Sequence, residues 1–367
     1  MNSVDFDTIV IGAGPAGSTA AALLAEKGHN VALLEKTKFP RYHVGESLMP
    51  FCYFPLERLG LTDQMDEIGF TKKFSVQFVT EDGCQSRPFY FFQHYDHPSS
   101  TTWQVLRSQF DELIMDKARE NGAEVRELTT VKSFIEESGN IVGVNAISAN
   151  SEAYELRAPM VIDASGRDTI AQNKQKWKKR DPELNKIAIW TYYKGAKRDP
   201  GLDAGSTTVA YLPGKGWFWY IPLERDIVSV GIVAERDYLY RDTRDLSEIF
   251  KREIKNNVWI DEHLDCGTQF GKYWSTGEYS YRSEFCAANG LLLAGDAYAF
   301  LDPVFSSGVF LALKSGEMAA DAVSNAISNN DFSAGQFNDY GKELCKGIEA
   351  MRALVYAFYD ESFSFGD

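Results

Sequence analysis

No run of about 18 apolar residues occurs in the 367-residue chain, so the sequence offers no helix able to span a bilayer. Cysteine is scarce and scattered. Cys52, Cys84, Cys266, Cys286 and Cys345 form no C-x-x-C pair, which excludes a disulfide scaffold and reads as reduced thiols in a cytoplasmic protein. Positive charge is short as well: the formal net charge of -14 argues against nucleic acid or an anionic membrane as the main partner. The N-terminus shows no basic n-region with a cleavage site and enters a strand within a few residues. No nucleophile elbow in a Ser/His/Asp order supports hydrolase chemistry, and no internal repeat or low-complexity stretch is evident. His94 and His97 form H-x-x-H, but Pro98 interrupts helical spacing and no further ligand lies near, so no metal site is expected. Aromatic residues, by contrast, are abundant: 24 Phe, 18 Tyr and 7 Trp, enough to fill a core and also to line a cavity for a flat ligand.

The clearest positive signal is at the start of the chain. Asp7 to Ile11 is a β-rich run, and Gly12-Ala13-Gly14-Pro15-Ala16-Gly17 follows at once. An Ala/Leu-rich helix from Ser18 to Lys27 stops at Gly28, and a second strand, Asn30 to Leu34, ends on Glu35. This is the βαβ dinucleotide fingerprint in its required context. Gly12 permits the tight turn, Gly14 lets a pyrophosphate approach the backbone beside Ala16, and Gly17 lets helix and strand pack closely. The helix N-terminus offers unpaired N–H groups to phosphates, and Glu35 is placed to accept from a ribose hydroxyl. A packing turn alone is the alternative reading of the glycines.

Two later segments choose a flavin over a nicotinamide. Asn289 to Ala294 is an apolar strand ending in Gly295-Asp296, followed by Phe300-Leu301-Asp302-Pro303-Val304-Phe305-Ser306-Ser307-Gly308-Val309 and an Ala-rich helix to about Ile327. A carboxylate at a strand end, Asp296, can hold a ribityl hydroxyl, while the Ser307-Gly308 amides at a helix start can face the flavin pyrimidine edge. Val161 to Arg167 is another strand closing on a glycine turn, where Asp163 caps Ser165-Gly166. No second GxGxxG appears, so no separate NAD(P)H domain is visible.

At these residues the chain resembles the FAD-binding domain shared by p-hydroxybenzoate hydroxylases, geranylgeranyl reductases and flavin-dependent halogenases. The run from Phe39 to Pro50, which contains Arg41, Gly45, Glu46 and Ser47, is similar to the last two groups. Trp217-Phe218-Trp219-Tyr220-Ile221-Pro222 resembles the halogenase W-x-W-x-I-P motif at every fixed position. Gly69-Phe70-Thr71-Lys72-Lys73 is similar to the segment carrying the halogenases' active-site lysine, and its spacing favours Lys73 over Lys72. Asp302 to Gly308 resembles their halide-binding turn, which implies halide contacts at Ser307 and Gly308. Thr102 to Arg107 resembles the flavin-contacting Gln-x-x-Arg segment, which implies cofactor contacts at Gln104 and Arg107, with Ser47 added from the first run; Arg41, at a βα loop, either meets the pyrophosphate or forms a surface ion pair.

The resemblance implies an α/β fold: a discontinuous Rossmann-type FAD domain like that of p-hydroxybenzoate hydroxylase over about 1–75, 101–175 and 280–330. A β-rich substrate domain would fill 76–100 and 176–279, and a helical tail 331–367. It implies FAD, used as FADH2, with a halide ion as co-substrate and a separate NAD(P)H-dependent flavin reductase as electron source. Hypohalous acid would travel to Lys73 and be delivered to an electron-rich phenol or pyrrole, free or tethered to a carrier protein. Trp217 and Trp219, on one face of a strand expected over Tyr211–Pro222, would wall the flavin from the substrate; ordinary core packing is their other reading. Phe305 stands where tryptophan-specific relatives have glutamate, which disfavours free tryptophan as substrate. The chain ends soon after the last FAD segment, so either a longer tail is missing or the chamber is more open. The alternative within the resemblance is a reductase or monooxygenase of the geranylgeranyl reductase type acting without halide.

Overall fold

The computed structural model describes residues 4–212, 216–277 and 280–360. The Thr8–Ile11 strand lies at the centre of a six-stranded sheet, with all four residues buried. It pairs in parallel with Val31–Leu34 on one side and Met160–Asp163 on the other. Glu124–Arg126 and Leu291–Leu293 extend the parallel order outward, and antiparallel Ala287–Ala288 closes one edge. Strands buried on both faces need continuous apolar runs, which explains sequences such as Val31-Ala32-Leu33-Leu34 and Leu291-Leu292-Leu293.

Helix α1 (Pro15–Glu26) runs back across this sheet between α2 (Arg107–Glu120) and α3 (Ser307–Asn329). Its alanines let the neighbours close in, and at two glycines the backbones themselves touch. A Cβ on Gly17 would stand 1.9 Å from the Gly12 carbonyl oxygen, and one on Gly316 of α3 would stand 2.3 Å from that of Ala16. Gly12 has φ +94 and lies under the Ala164 carbonyl, a conformation and clearance that only glycine meets at low cost.

A seven-stranded sheet packs beside the first. Its order is Thr268–Thr276, Lys186–Lys194, Ile227–Glu235, Gly216–Pro222, Thr207–Leu212, Ser75–Val79 and Phe89–Tyr90. The single strand expected over Tyr211–Pro222 is instead two. Thr207–Leu212 and Gly216–Pro222 pair antiparallel, with Tyr211 opposite Trp217 and Val209 opposite Trp219; residues 213–215 lie outside the described residues. The sequence there holds Pro213-Gly214, turn chemistry that an alternation count ignores.

A two-stranded ribbon, Thr71–Lys73 with Thr102–Gln104, bridges the two sheets. The tail is helix α4 (Asn338–Tyr359), which returns to pack against the larger sheet through Val355 and Phe358; of the tail expected over 331–367, residues 361–367 lie outside the described residues. Among the described residues no helix is long and apolar enough to cross a membrane.

The Gly316 contact generates a test. Gly316→Ala inserts a methyl against backbone that cannot swing aside, so α1 and α3 must separate at Ala16. Overpacking of this kind costs about 1–3 kcal/mol. A lower thermal midpoint together with weaker FAD retention on desalting is expected, whereas an exposed helical Gly→Ala change would stabilise.

Candidate active site

The carboxyl ends of the parallel strands open onto a cleft of about 470 Å³. Gly12, Gly14 and Ala16 line one end, Glu35, Arg41 and Asp296 flank it, and Trp217 and Trp219 line it deeper in. Doubly wound sheets place their ligands at this end. The Gly14 end leaves open space: the nearest atom to a Cβ there would be the Arg41 guanidinium at 3.6 Å. Arg41 is itself paired with buried Asp111 at 3.2 Å, so its cation is held over the loop.

Glu35 is 4% exposed and ties the loop together. One carboxylate oxygen accepts from the Ala13 amide at 2.9 Å, the other from the Thr37 amide and hydroxyl at 2.8 and 2.6 Å. Asp296 lies deeper. Burial pushes its carboxyl up to about 6, while the Arg167 and Arg107 guanidiniums oppose the shift. Arg107 is buried in a two-pronged pair with Asp111 at 2.7 and 3.0 Å and donates to the Val44 carbonyl at 2.8 Å.

The start of α3 faces the same cleft. Ser306 takes a left-handed conformation and no side chain caps the helix, so its first amides have no intrahelical acceptors. Ser306 and Gly308 line the cleft; the Ser307 side chain is buried away from it, leaving its backbone amide as its contribution. Glycine loop, two helix N-termini and flanking arginines form a donor set that fits a dinucleotide pyrophosphate and an anion beside it. The residues therefore fit FAD. Among the described residues no group of three His, Cys, Asp or Glu is arranged to hold a metal.

Lys72 and Lys73 take opposite faces of their strand, as residues i and i+1 must. Lys72 pairs with Asp66 at the surface. Lys73 is 2% exposed: its Nζ donates to the Ser47 hydroxyl at 2.8 Å and to the Leu48 carbonyl at 3.1 Å, with the Phe91 ring 5.7 Å away. Burial lowers its amine to about 7. Ser47 also meets the Thr207 hydroxyl at 2.8 Å, and both residues line the cleft. Ser47 is thus the link between cleft and lysine. Gln104 is turned away from the cleft, donating to the Gly205 carbonyl at 2.9 Å and to Thr207 at 2.8 Å. The short strand that carries it pairs with the Lys73 strand, which points its amide toward Gly205.

Trp217 and Trp219 are buried, with ring centroids 6.1 Å apart. The end of α4 packs against them. Trp217 Nε1 donates to the Tyr359 hydroxyl at 2.8 Å, and that hydroxyl donates to Asp302 at 2.8 Å. Phe358 meets Phe305 edge-on at 6.1 Å. The end of α4 therefore packs against Trp217, Asp302 and Phe305. Phe91 and Tyr359 both went unnoticed in the sequence. The dense aromatic run Phe89 to Tyr95 was a usable signal for the first, but nothing local marks Tyr359.

The family model for tryptophan halogenases matches residues 7–101 and 93–363. A 1H-pyrrole-2-carbonyl peptidyl-carrier-protein brominase of Pseudoalteromonas luteoviolacea is 35% identical over 364 residues, covering 98% of this chain and 87% of its own. A corresponding chlorinase of Pseudomonas fluorescens is 30% identical, with coverage of 98% and 84%. Among solved structures, a myxobacterial chondrochloren halogenase superposes with a TM-score of 0.90 at 32% identity, covering 99% of this chain and 84% of that one.

The Tyr359 bridge makes a prediction. Tyr359→Phe leaves the Trp217 N–H and an Asp302 oxygen unpaired in the interior, a loss of about 1–3 kcal/mol. Burial already pushes Asp302 up to about 6, and the Tyr359 bond opposes that shift. Without it the folded pKa rises further, so the ionised carboxylate is penalised and the deficit grows as pH rises through about 6. Thermal midpoints of both proteins at pH 4.5 and 8 should diverge more at the higher pH.

Proposed function

This chain belongs to the tryptophan halogenase family of flavin-dependent enzymes, and we propose that it halogenates a pyrrole-type ring presented on a carrier protein, with Lys73 as the catalytic residue. Flavin-dependent halogenation of an aromatic substrate is the activity of the family to which it belongs. Reduced FAD supplies the electrons with which O2 and halide yield hypohalous acid. This chain's residues hold, separate and deliver. Gly12, Gly14, Ala16 and Gly17 admit the pyrophosphate, with Glu35 and Arg41 beside them. Asp296, Arg107 and Gly308 flank the flavin end, and the Ser307 and Gly308 amides take the halide. Trp217 and Trp219 keep the organic ring from the flavin, so only a small oxidant passes.

One observation carries the assignment of Lys73: its amine is buried, joined to the cleft by a single serine, and has a pKa lowered to about 7. A neutral amine accepts a proton from hypohalous acid or takes its halogen as a haloamine, losing water; an ammonium does neither. Two observations support the ring chemistry. Phe305 packs on Phe358 where an ammonium-bearing substrate would need a carboxylate, and Phe91 offers an aromatic surface beside the amine. The carrier is supported by the two pyrrole-carrier-protein halogenases, which align over nearly the whole chain. We place the enzyme in the cytoplasm, where its free cysteines stay reduced, served by a separate NAD(P)H-dependent flavin reductase.

Lys73→Met should cut halogenated product by about 10²-fold or more while FAD stays bound, and Lys72→Met should leave product unchanged. Because the folded protein disfavours the ammonium, Lys73 costs stability increasingly as pH falls from its unfolded value of 10.5 toward about 7. The thermal midpoint of Lys73→Met should therefore exceed wild type at pH 7 and approach it near pH 11. Wild-type product per flavin oxidised should climb through pH 7 as the amine loses its proton.

The substrate class is tested by mass spectrometry with flavin reductase, bromide and either carrier-bound pyrrole-2-carbonyl thioester or the free acid. Bromination confined to the carrier-bound ring is expected. Turnover of free phenols alone would overturn the carrier assignment and leave the lysine chemistry standing.

A further inference from the structure

Forming hypohalous acid consumes protons. In balance, starting from the reduced anion, FADH⁻ + O2 + halide + 2 H⁺ gives FAD + hypohalous acid + H2O, so two protons enter the cleft for each oxidant made. The walls built by Trp217 and Trp219 that keep the ring out also hinder water, and the protons need a route.

Glu46 is 2% exposed and its carboxylate lines the cleft. Its Oε1 accepts from the Tyr192 hydroxyl at 2.6 Å. Tyr192 is 2.9 Å from the hydroxyl of Tyr42, and that hydroxyl accepts from Trp190 Nε1 at 2.5 Å. An indole N–H only donates, and each phenol has one proton. With the Tyr192 proton on Glu46, Tyr42 must donate to Tyr192. The Tyr42 and Tyr192 bonds therefore point one way, from the outer residue to the buried carboxylate, and the buried Trp190 N–H donates into Tyr42. Tyr42 is 43% exposed and is held in place by stacking on Trp274 at 4.3 Å. The chain thus runs from a half-exposed residue at the rim of the cleft to a buried carboxyl-bearing residue on its wall.

From this geometry we infer that Tyr42, Tyr192 and Glu46 form the proton entry path to the flavin cleft. Glu46 takes the proton of Tyr192, Tyr192 takes that of Tyr42, and Tyr42 is refilled by surface water; each phenol breaks one O–H bond and forms another, and neither is consumed. Aligned chains of this kind move protons without moving atoms far. The charged group facing Glu46 is Arg107, whose cation is largely balanced by its own pair with Asp111. Burial raises the Glu46 carboxyl, with Tyr192 and Arg107 opposing, so the terminus holds a proton more readily than an exposed glutamate does. Tyr42, Tyr192 and Glu46 act as relay groups rather than on the substrate.

The inference rests on the FAD placement proposed above, so bound flavin is measured first. Reduced holoenzyme is then mixed with oxygenated, weakly buffered, halide-free solution containing an indicator dye. Reoxidation of the reduced anion, FADH⁻ + O2 + H⁺ to FAD + H2O2, takes up one proton, whether or not the enzyme halogenates; product formation is scored separately. Wild-type uptake should keep pace with the flavin absorbance change. Tyr192→Phe keeps the ring and removes the relay hydroxyl. Its uptake should fall about tenfold or more, and imidazole should restore it in proportion to its concentration. Tyr193→Phe, on the opposite face of the same strand, should behave as wild type. Should Tyr192→Phe fail to retain FAD, Tyr42→Phe decides in the same assay, since it leaves the Tyr192–Glu46 bond in place. Wild-type uptake in a flavin-loaded Tyr192→Phe or Tyr42→Phe protein would overturn the relay and reduce the trio to a brace between strand and loop. A slowed uptake that imidazole does not restore would overturn it as well.

Discussion

Backbone presses on backbone around the first turn of α1, and the placement of everything else in the molecule follows from that contact. Gly17 closes on the Gly12 carbonyl, Gly12 on Ala164, and Gly316 on Ala16. Three stretches of chain, about 150 residues apart from one to the next, meet where no side chain fits. Their meeting fixes the ends of the central strands, and with them the mouth of the cleft. Because the helix starts aim their free amides into that mouth, the same packing that closes the core creates an anion site.

Around the cleft the interior holds ionisable groups that a structure built for stability alone would omit. Lys73, Glu46, Asp296 and Asp302 are all displaced from their ordinary titration ranges, in each case first by burial. Burial brings the Lys73 amine to about 7 and the Asp296 and Asp302 carboxyls to about 6, and raises Glu46, displacements of the kind that cluster at functional sites. Lys73, Glu46 and Asp302 each make one or two side-chain hydrogen bonds, and Asp296 faces the Arg167 and Arg107 guanidiniums; for the three carboxyls these partners oppose the shift without cancelling it. Trp217 and Trp219 add apolar surface to the cleft that Glu46 and Asp296 line.

Part of the site was legible from local order. The glycine spacing and the acidic end of the second strand join residues within one supersecondary unit, where strand and helix geometry converts sequence distance into spatial distance, whereas Lys73 was singled out by resemblance alone. The strand break before Gly216 was missed because alternation continued across a Pro-Gly pair. Ser47 carried a family signal but not its partner; that it bridges Lys73 and the cleft depends on a ribbon pairing residues 71–73 with 102–104. Gln104, by the same pairing, turns from the cleft toward Gly205.

The amino-acid order by itself determined the dinucleotide turn, the shared face of Trp217 and Trp219 and the opposite faces of Lys72 and Lys73, because each is decided by backbone geometry over a few residues. Tertiary structure alone decided the contacts made across long loops: Tyr192 on Glu46, 146 residues apart, and Tyr359 on Trp217, 142 apart. A hydroxyl on a strand or a helix end has no local pattern that names its acceptor. Only the packing of the larger sheet against the loop after Pro40, and of α4 against that sheet, brings donor and acceptor together and removes the water that would otherwise satisfy both.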